Sequence, residues 1–317
     1  MKYYEDNICG ITVIKDGVTV LRDRRSGYEE NDTMHAASVT KSVMSLLTGI
    51  AIDKGMIRDT DVRVMDFFPG FEPKRGEKTA YEVRLSHLLT MTAPYKFRSE
   101  PWVKVCTSQD WTLAALDLLG GRKGLTGEFK YNVLGIQILS GIIERASGMK
   151  CIDFANEYLF HPLGISERIS HGDSSKEDQY DYLMNKSPRK NEWYVDPQGT
   201  ATAGWGISLS SQDMAVIGQM CLENGVYNGR RIVSAEWIGA MTAPHVKDLG
   251  RNFGYMSYGY MWWIPEKEGV FAAVGDGGNI IYVDRDKKIA AGVTATFRPR
   301  VFDRIDYLEN VILPRVR

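Results

Sequence analysis

Between residues 38 and 55 the chain reads SVTKSVMSLLTGIAIDKG, and apolar residues fall on every face of the helix this stretch predicts. Val39, Val43, Met44, Leu46, Leu47, Ile50, Ala51 and Ile52 leave little polar surface, so the helix is expected to be buried all round, ending at Gly55. Upstream, ICGITVIK and VTVLRDRR are β-rich runs joined by Asp16-Gly17, which predicts a hairpin over 8–27. The middle of the chain is mainly helical in pattern, with candidates at 60–68, 84–92, 110–119, 132–147, 151–160 and 211–224. Pro69-Gly70, Gly120-Gly121 and Pro162-Leu163-Gly164 punctuate them. The last sixty residues return to strand patterns in YGYMWWIP, VFAAVG, NIIYVD and KKIAAGVTATF, before a closing helix near 302–312. Strands from both ends are therefore expected to share one antiparallel sheet flanked by helices, an α+β fold. The sheet domain would comprise 1–55 plus 236–317, with a mainly helical region, 56–235, inserted. No internal repeat or low-complexity tract interrupts this plan.

Composition narrows the function classes. With 317 residues, 44% hydrophobic and 25% charged, the chain can bury a full core as an ordinary globular protein. A net charge of −1 gives no electrostatic case for nucleic acid or an anionic membrane. No apolar run approaches the roughly 18 residues of a membrane span. The start, MKYYEDNICG, has acidic residues and no apolar core, so it does not read as a signal peptide. Cys9, Cys106, Cys151 and Cys221 are scattered and read as reduced thiols. A cytoplasmic location is expected, for a chain whose leader, if any, lies outside this sequence. The five histidines show no metal-ligand spacing, so no metal site is expected. Gly-x-Ser-x-Gly, His-Glu-x-x-His and phosphate-loop patterns are absent. His171-Gly172-Asp173-Ser174 has a hydrolase-like spelling but sits in a polar stretch, which reads as loop.

The chemistry concentrates where the apolar helix begins. A lysine in the first turn of a buried helix is costly unless its ammonium finds partners or its pKa shifts. Residues three apart share a helix face, so Lys41 can reach the Ser38 hydroxyl. A desolvated amine beside a hydroxyl is a way to activate a weak nucleophile. Ser38 also stands where free backbone N–H groups favour a developing oxyanion. Ser-x-x-Lys occurs twice more, at Ser147–Lys150 beside the helix-ending Gly148 and at Ser187–Lys190 in a polar loop, neither on a buried helix. The plain alternative is that Ser38 caps the helix and Lys41 snorkels to water.

Two further segments suit that chemistry. Tyr131 precedes the apolar run NVLGIQILSGIIERASG; a phenol beside an ammonium loses its proton more easily and could shuttle it between nucleophile and leaving group. Asn132 reads equally as a helix cap. Gly275-Asp276-Gly277-Gly278-Asn279 lies between two strand runs, where glycines mark close approach of a ligand or another backbone. A strand edge there could pair with an extended substrate and lend the Asn279 N–H to an oxyanion hole, or the segment could be a simple turn.

Taken in order, Ser38-x-x-Lys41, Tyr131 and Asp276-Gly277-Gly278 resemble the serine β-lactamase and penicillin-binding-protein superfamily. The likeness is to its class C-like branch, which also holds esterases and D-peptidases. It extends through SHLLTMTA (86–93), FKYNVLGIQILSGIIERASGM (129–149), YLFHPLGI (158–165), AGWGISLSSQDMA (203–215) and YGYMWW (258–263). The resemblance implies acyl transfer through Ser38, with Lys41 and Tyr131 moving the proton and the Ser38 and Asn279 N–H groups holding the oxyanion. Ester, amide or peptide-like small molecules are the implied substrates, and the implied chemistry needs neither metal nor organic cofactor. Two positions depart from the family pattern. Val133 replaces the asparagine of Tyr-x-Asn, with Asn132 adjacent to take over some of its polar role. Asp276 replaces the lysine of Lys-Thr-Gly, which disfavours carboxylate substrates such as penicillins or D-Ala-D-Ala acids. Arg298 and Arg300 could restore an anion site. Trp102, Trp111, Trp205 and Trp262 are candidates for a pocket wall, against the plainer reading as core. β-Lactamase, D-Ala-D-Ala carboxypeptidase and D-aminopeptidase activities stand behind esterase or amidase activity. A penicillin-binding sensor that does not turn over is the alternative of another class.

Overall fold

A computed structural model describes residues 5–316 apart from 26, 75, 173–174, 251–252, 254–255, 300 and 302. Asp173, Ser174 and Arg300 therefore lie outside the described residues, as does position 302 of the expected closing helix. The expected N-terminal hairpin is present as β1 (Ile8–Lys15) and β2 (Val18–Arg24). Its turn has positive φ at both Asp16 (48°) and Gly17 (76°), the combination that suits the right-handed twist of the flanking strands. The late strands are β3 (Ser257–Tyr258), β4 (Trp263–Ile264), β5 (Val270–Gly275), β6 (Asn279–Asp284) and β7 (Ile289–Ala295). All seven form one antiparallel sheet in the order β2-β1-β7-β6-β5-β4-β3, joining the two ends of the chain through β1 and β7. The run YGYMWWIP does not form one strand. It folds back between β3 and β4, with the Gly259 N–H donating to the Trp262 carbonyl at 2.9 Å and Met261 at φ 61°.

The helices that position the site are α1 (Val39–Asp53), α2 (Trp102–Cys106), α3 (Ile138–Ser147), α4 (Lys176–Met184) and α5 (Ser211–Leu222). The sheet separates two cores through its alternation of side chains. Phe271, Ala273, Ile281 and Val283 face α1, α5 and the helical region. Val270, Ala272, Ile280 and Tyr282 face the C-terminal segment carrying Tyr307, Leu308 and Ile312. Although α5 belongs to the inserted stretch in sequence, it packs directly on the sheet. A Cβ on Gly292 of β7 would lie 2.2 Å from the Ser211 carbonyl oxygen, and Gly218 lets α5 approach Ile281 and Ala290.

As its pattern predicts, α1 is buried from Val39 through Ala51. Trp237 seals one side: its indole donates to the Ser45 carbonyl at 3.1 Å, over Gly49, where a Cβ would meet the ring at 2.2 Å. Several helical expectations shorten: 60–68 to a 3-10 turn at Val64–Phe67, 84–92 to Leu85–Leu89 and 110–119 to Trp111–Leu116. The segment expected over 132–147 begins later, as a 3-10 turn at Gly135–Gln137 leading into α3. Asn132 therefore caps nothing; it is buried three residues before the first helical turn. The polar 165–200 stretch holds a short strand at Ile169–His171 and then α4, started by the Ser175 hydroxyl accepting from the Asp178 N–H at 3.0 Å.

Candidate active site

Ser38 occupies the N-cap of α1, yet its side chain accepts no capping hydrogen bond. Its Oγ accepts instead from Lys41 Nζ at 2.9 Å. Lys41 does not snorkel. Its residue is 1% exposed, and its amine makes a second hydrogen bond, 2.6 Å long, to the Gly204 carbonyl oxygen. Burial pulls its pKa down from 10.5 to about 7, opposed by the nearby Glu100 and Asp276 carboxylates. An amine so placed is substantially neutral near pH 7 and can accept the Ser38 proton. Ala37, directly before Ser38, is held at φ 51°, an uncommon conformation for a residue with a Cβ. Asn185 fixes that approach. Its amide brackets His35, accepting from the His35 N–H at 2.9 Å and donating to the His35 carbonyl at 3.0 Å, and also reaches the Ala295 carbonyl at 2.8 Å.

Tyr131 stands over the pair, with its ring centroid 4.9 Å from Lys41 Nζ and its hydroxyl in hydrogen-bond contact with the Ser38 side chain. Trp263, Phe253 and Tyr258 surround it, with ring centroids 5.5, 6.1 and 6.3 Å away. The expectation of an easily lost phenolic proton reverses here. Burial is the dominant influence and pushes the Tyr131 pKa well above its ordinary value, and Asp276 and Glu100 push the same way. Tyr131 is thus a retained proton donor at neutral pH. Sequence reasoning missed the residues that hold its loop. Glu100 accepts from the Val133 and Leu134 N–H groups, each at 2.6 Å. Gln137 pins the opposite wall by donating to the Ala201 carbonyl and accepting from the Ala203 N–H.

The glycine-rich turn contributes differently from its sequence expectation. Gly275, the last residue of β5, passes the start of α1 so closely that a Cβ there would lie 2.3 Å from the Ala36 carbonyl oxygen and 3.2 Å from the Ser38 nitrogen. Asp276 follows and lines the cavity beside Ser38. Asn279 is fully buried on β6, paired across the hairpin with Gly275, its side chain bonded to the Asp276 carbonyl and the Ala295 N–H. Gly278 backs onto Arg304, where a Cβ would lie 2.3 Å from the guanidinium. Asn132 turns inward, donating to the Lys130 carbonyl at 3.0 Å and to Met91 Sδ at 3.6 Å, and leaves Val133 on the cavity. The structure therefore brings Ser38, Lys41, Tyr131 and Asp276 together and sets Asn132, Gly278 and Asn279 behind them.

The cavity over Ser38 has a volume of about 300 Å³ and a mainly apolar wall, including Trp102, Val133, Leu183, Met184, Trp205 and Phe297. Trp111 stacks behind Trp205, and Trp262 lies in the core against Phe271. Arg298 pairs with Asp6. His35, wholly buried, has its pKa lowered to about 3 by burial and accepts from the Gly206 N–H at 3.0 Å, so it is a neutral strut. Among the described residues, no three His, Cys, Asp or Glu side chains converge as a metal site requires, and no helix is long and apolar enough to cross a membrane.

This fold is that of the serine β-lactamase and penicillin-binding-protein superfamily. Residues 9–313 match the family model described as Beta-lactamase, and the chain belongs to that family. It is 25% identical over 283 residues to a 6-aminohexanoate-dimer hydrolase from Paenarthrobacter ureafaciens, covering 82% of this chain and 65% of that protein. The chain thus spans just under two thirds of that relative's length. Among solved structures it is similar to an octameric penicillin-binding protein homologue from Pyrococcus abyssi, with TM-score 0.69 and 22% identity over 96% of this chain and 73% of that one. A D-stereospecific amidohydrolase from a Streptomyces species gives TM-score 0.66 and 14% identity over 95% and 93% of the two chains.

Proposed function

We propose that this protein is a serine hydrolase that cleaves esters or amides through an acyl-enzyme on Ser38. The observation that carries the reading is the 2.9 Å contact between the Ser38 hydroxyl and a buried lysine amine whose pKa lies near 7. Lys41 takes the hydroxyl proton as Ser38 Oγ forms its bond to the substrate carbonyl carbon. The Ser38 N–H and the Asp276 N–H, the latter directly after the glycine that abuts Ser38, stabilise the oxyanion. Tyr131 gives its proton to the leaving group as the scissile bond breaks, and Lys41 restores it. Water then enters, loses a proton back to this relay and releases the acid. The apolar cavity suits an acyl group without charge, and the Asp276 carboxylate at its wall disfavours carboxylates there while tolerating neutral or cationic groups. The relative acting on a 6-aminohexanoate dimer and the D-stereospecific amidohydrolase support amide chemistry on this scaffold.

The test is acid-quenched intact-mass analysis after mixing with p-nitrophenyl butyrate, followed by peptide mapping. A transient butyryl adduct on the peptide carrying Ser38, together with nitrophenol release, is expected. Turnover with the adduct mapped elsewhere, or no adduct with this ester or a cephalosporin, would sink the proposal. A long-lived adduct without turnover would assign the sensor role instead.

The acylation rate should also report the lysine. Only the neutral amine accepts a proton, so kcat/KM is expected to fall about tenfold per pH unit below the Lys41 pKa near 7 and to level off on the alkaline side. The plateau should extend upward because burial holds the Tyr131 phenol protonated. A profile flat between pH 5 and 8 in single-turnover measurements would remove Lys41 as the base.

A further inference from the structure

Beyond Tyr131 lies a second concavity, about 970 Å³ in volume, that the acyl-transfer chemistry leaves unused. Among the described residues its lining holds six cationic side chains, Lys74, Lys96, Arg98, Arg122, Lys123 and Lys130, against two carboxylates, Glu77 and Glu128. This concentration is local, since the whole chain carries a net charge of −1. Lys74 and Lys96 are partly neutralised by Asp117 and Glu77, at 3.3 and 3.8 Å. Among the described residues no ion pair engages Arg98, Arg122 or Lys123, and all three are exposed to the cleft. Lys130 is preorganised: its amine donates to the Phe97 carbonyl and sits 4.3 Å from the Phe97 ring centroid. One wall is made by Gly120, Gly121 and Gly124, all at positive φ; the Glu77 carboxylate packs against Gly120, whereas Gly121 and Gly124 face open space where a ligand can approach the backbone.

The cleft adjoins the reaction centre through one short segment. Lys130 lines the cleft, Val133 lines the apolar cavity, and Tyr131, the proton donor of the reading above, directly follows Lys130 in the chain. We infer that the basic cleft is a subsite for an anionic group, a carboxylate or phosphate, carried on the leaving-group portion of the substrate. The inference rests on the Ser38 hydrolase reading above and adds a direction to it. Asp276 repels an anion at the acyl cavity, whereas the basic cleft attracts one.

The experiment compares two butyrate esters that differ only in leaving group, 4-butyryloxybenzoate and its neutral carboxamide. Binding of 4-hydroxybenzoate and of inorganic phosphate is followed in parallel by titration calorimetry. The carboxamide carries the better leaving group, so preference for the acid reports recognition rather than intrinsic reactivity. The expected kcat/KM ratio, acid over amide, is about tenfold at low salt and shrinks as salt screens the cleft. In the double variant Arg122→Glu/Lys123→Glu, with folding verified by circular dichroism, the ratio should fall to about one. Arg98→Gln provides a milder second variant should the double one fail to fold. Hydrolysis of both wild-type esters with a ratio of one or less overturns the subsite and leaves the hydrolase standing. If neither ester is cleaved yet 4-hydroxybenzoate binds and the variants abolish binding, the hydrolase reading fails and takes the leaving-group role with it, leaving the cleft a plain anion site. Binding of phosphate with no ester preference assigns the cleft to a free anion and overturns the substrate subsite. Absence of both turnover and anion binding removes both proposals.

Discussion

Lys41→Met is expected to lower kcat/KM by a factor on the order of 10³ while raising thermal stability near neutral pH. Methionine fills nearly the volume of the lysine stem, so packing within α1 is retained. What disappears is the base 2.9 Å from the nucleophile and the hydrogen bond to the Gly204 carbonyl. The stability sign follows from protonation. The folded-state pKa of about 7 lies below the ordinary 10.5, so between these values the unfolded chain binds a proton that the folded chain does not. Stability therefore rises with pH across that window, and below pH 7 the folded state bears the full cost of a buried ammonium. At 1.36 kcal/mol per pKa unit that cost is about 5 kcal/mol, offset on substitution by about 1–3 kcal/mol for the orphaned Gly204 carbonyl. The variant's advantage in Tm should thus be largest at pH 6–7 and vanish toward pH 10. Retained acylation, or a Tm lowered equally at both pH values, would show that the lysine is structural.

The sequence carried the nucleophile because a lysine inside an apolar helix conflicts with burial, and such conflicts mark functional positions. The first Ser-x-x-Lys differed from the other two by that context alone, and the structure buries it as the pattern implied. The strands at the two chain ends are legible from local signals too, short β-rich apolar runs and the Asp16-Gly17 turn. What local signals could not set was the exact place of the β5–β6 turn. Gly275, Gly277 and Gly278 look alike in sequence, and a shift of one residue moves every side chain to the other face. The turn at 276–278 puts Gly275 and Asp276 at Ser38 and buries Asn279, which the sequence reading had placed in the oxyanion hole. Glu100, Gln137 and Asn185 were invisible because each acts on backbone more than thirty residues away, through contacts that exist only after folding. Tyr131 was found, but its direction of shift was not: the depth of its burial outweighs the charge beside it.

The direction of that shift separates the substrates in the second prediction. Tyr131→Phe is expected to reduce amide hydrolysis by about 10² to 10⁴-fold and p-nitrophenyl ester acylation by far less, about tenfold. An amine must be protonated as it leaves, and a phenol whose pKa is raised by burial keeps the proton for that step. Nitrophenolate departs unprotonated, so acylation by the activated ester bypasses Tyr131 and needs only Lys41. Phenylalanine preserves the contacts with Trp263, Phe253 and Tyr258, so the aromatic cage that orients the loop stays filled. Deacylation of the ester-derived intermediate still requires activated water. If Tyr131 serves that step as well, the butyryl adduct on Ser38 should accumulate in the variant and appear as an initial burst of nitrophenol. Single-turnover rates for an anilide and a nitrophenyl ester of the same acid, with intact-mass analysis of the adduct, measure both effects. Equal losses on the two substrates, with no accumulated adduct, would make Tyr131 a packing residue and leave leaving-group protonation to Lys41 alone.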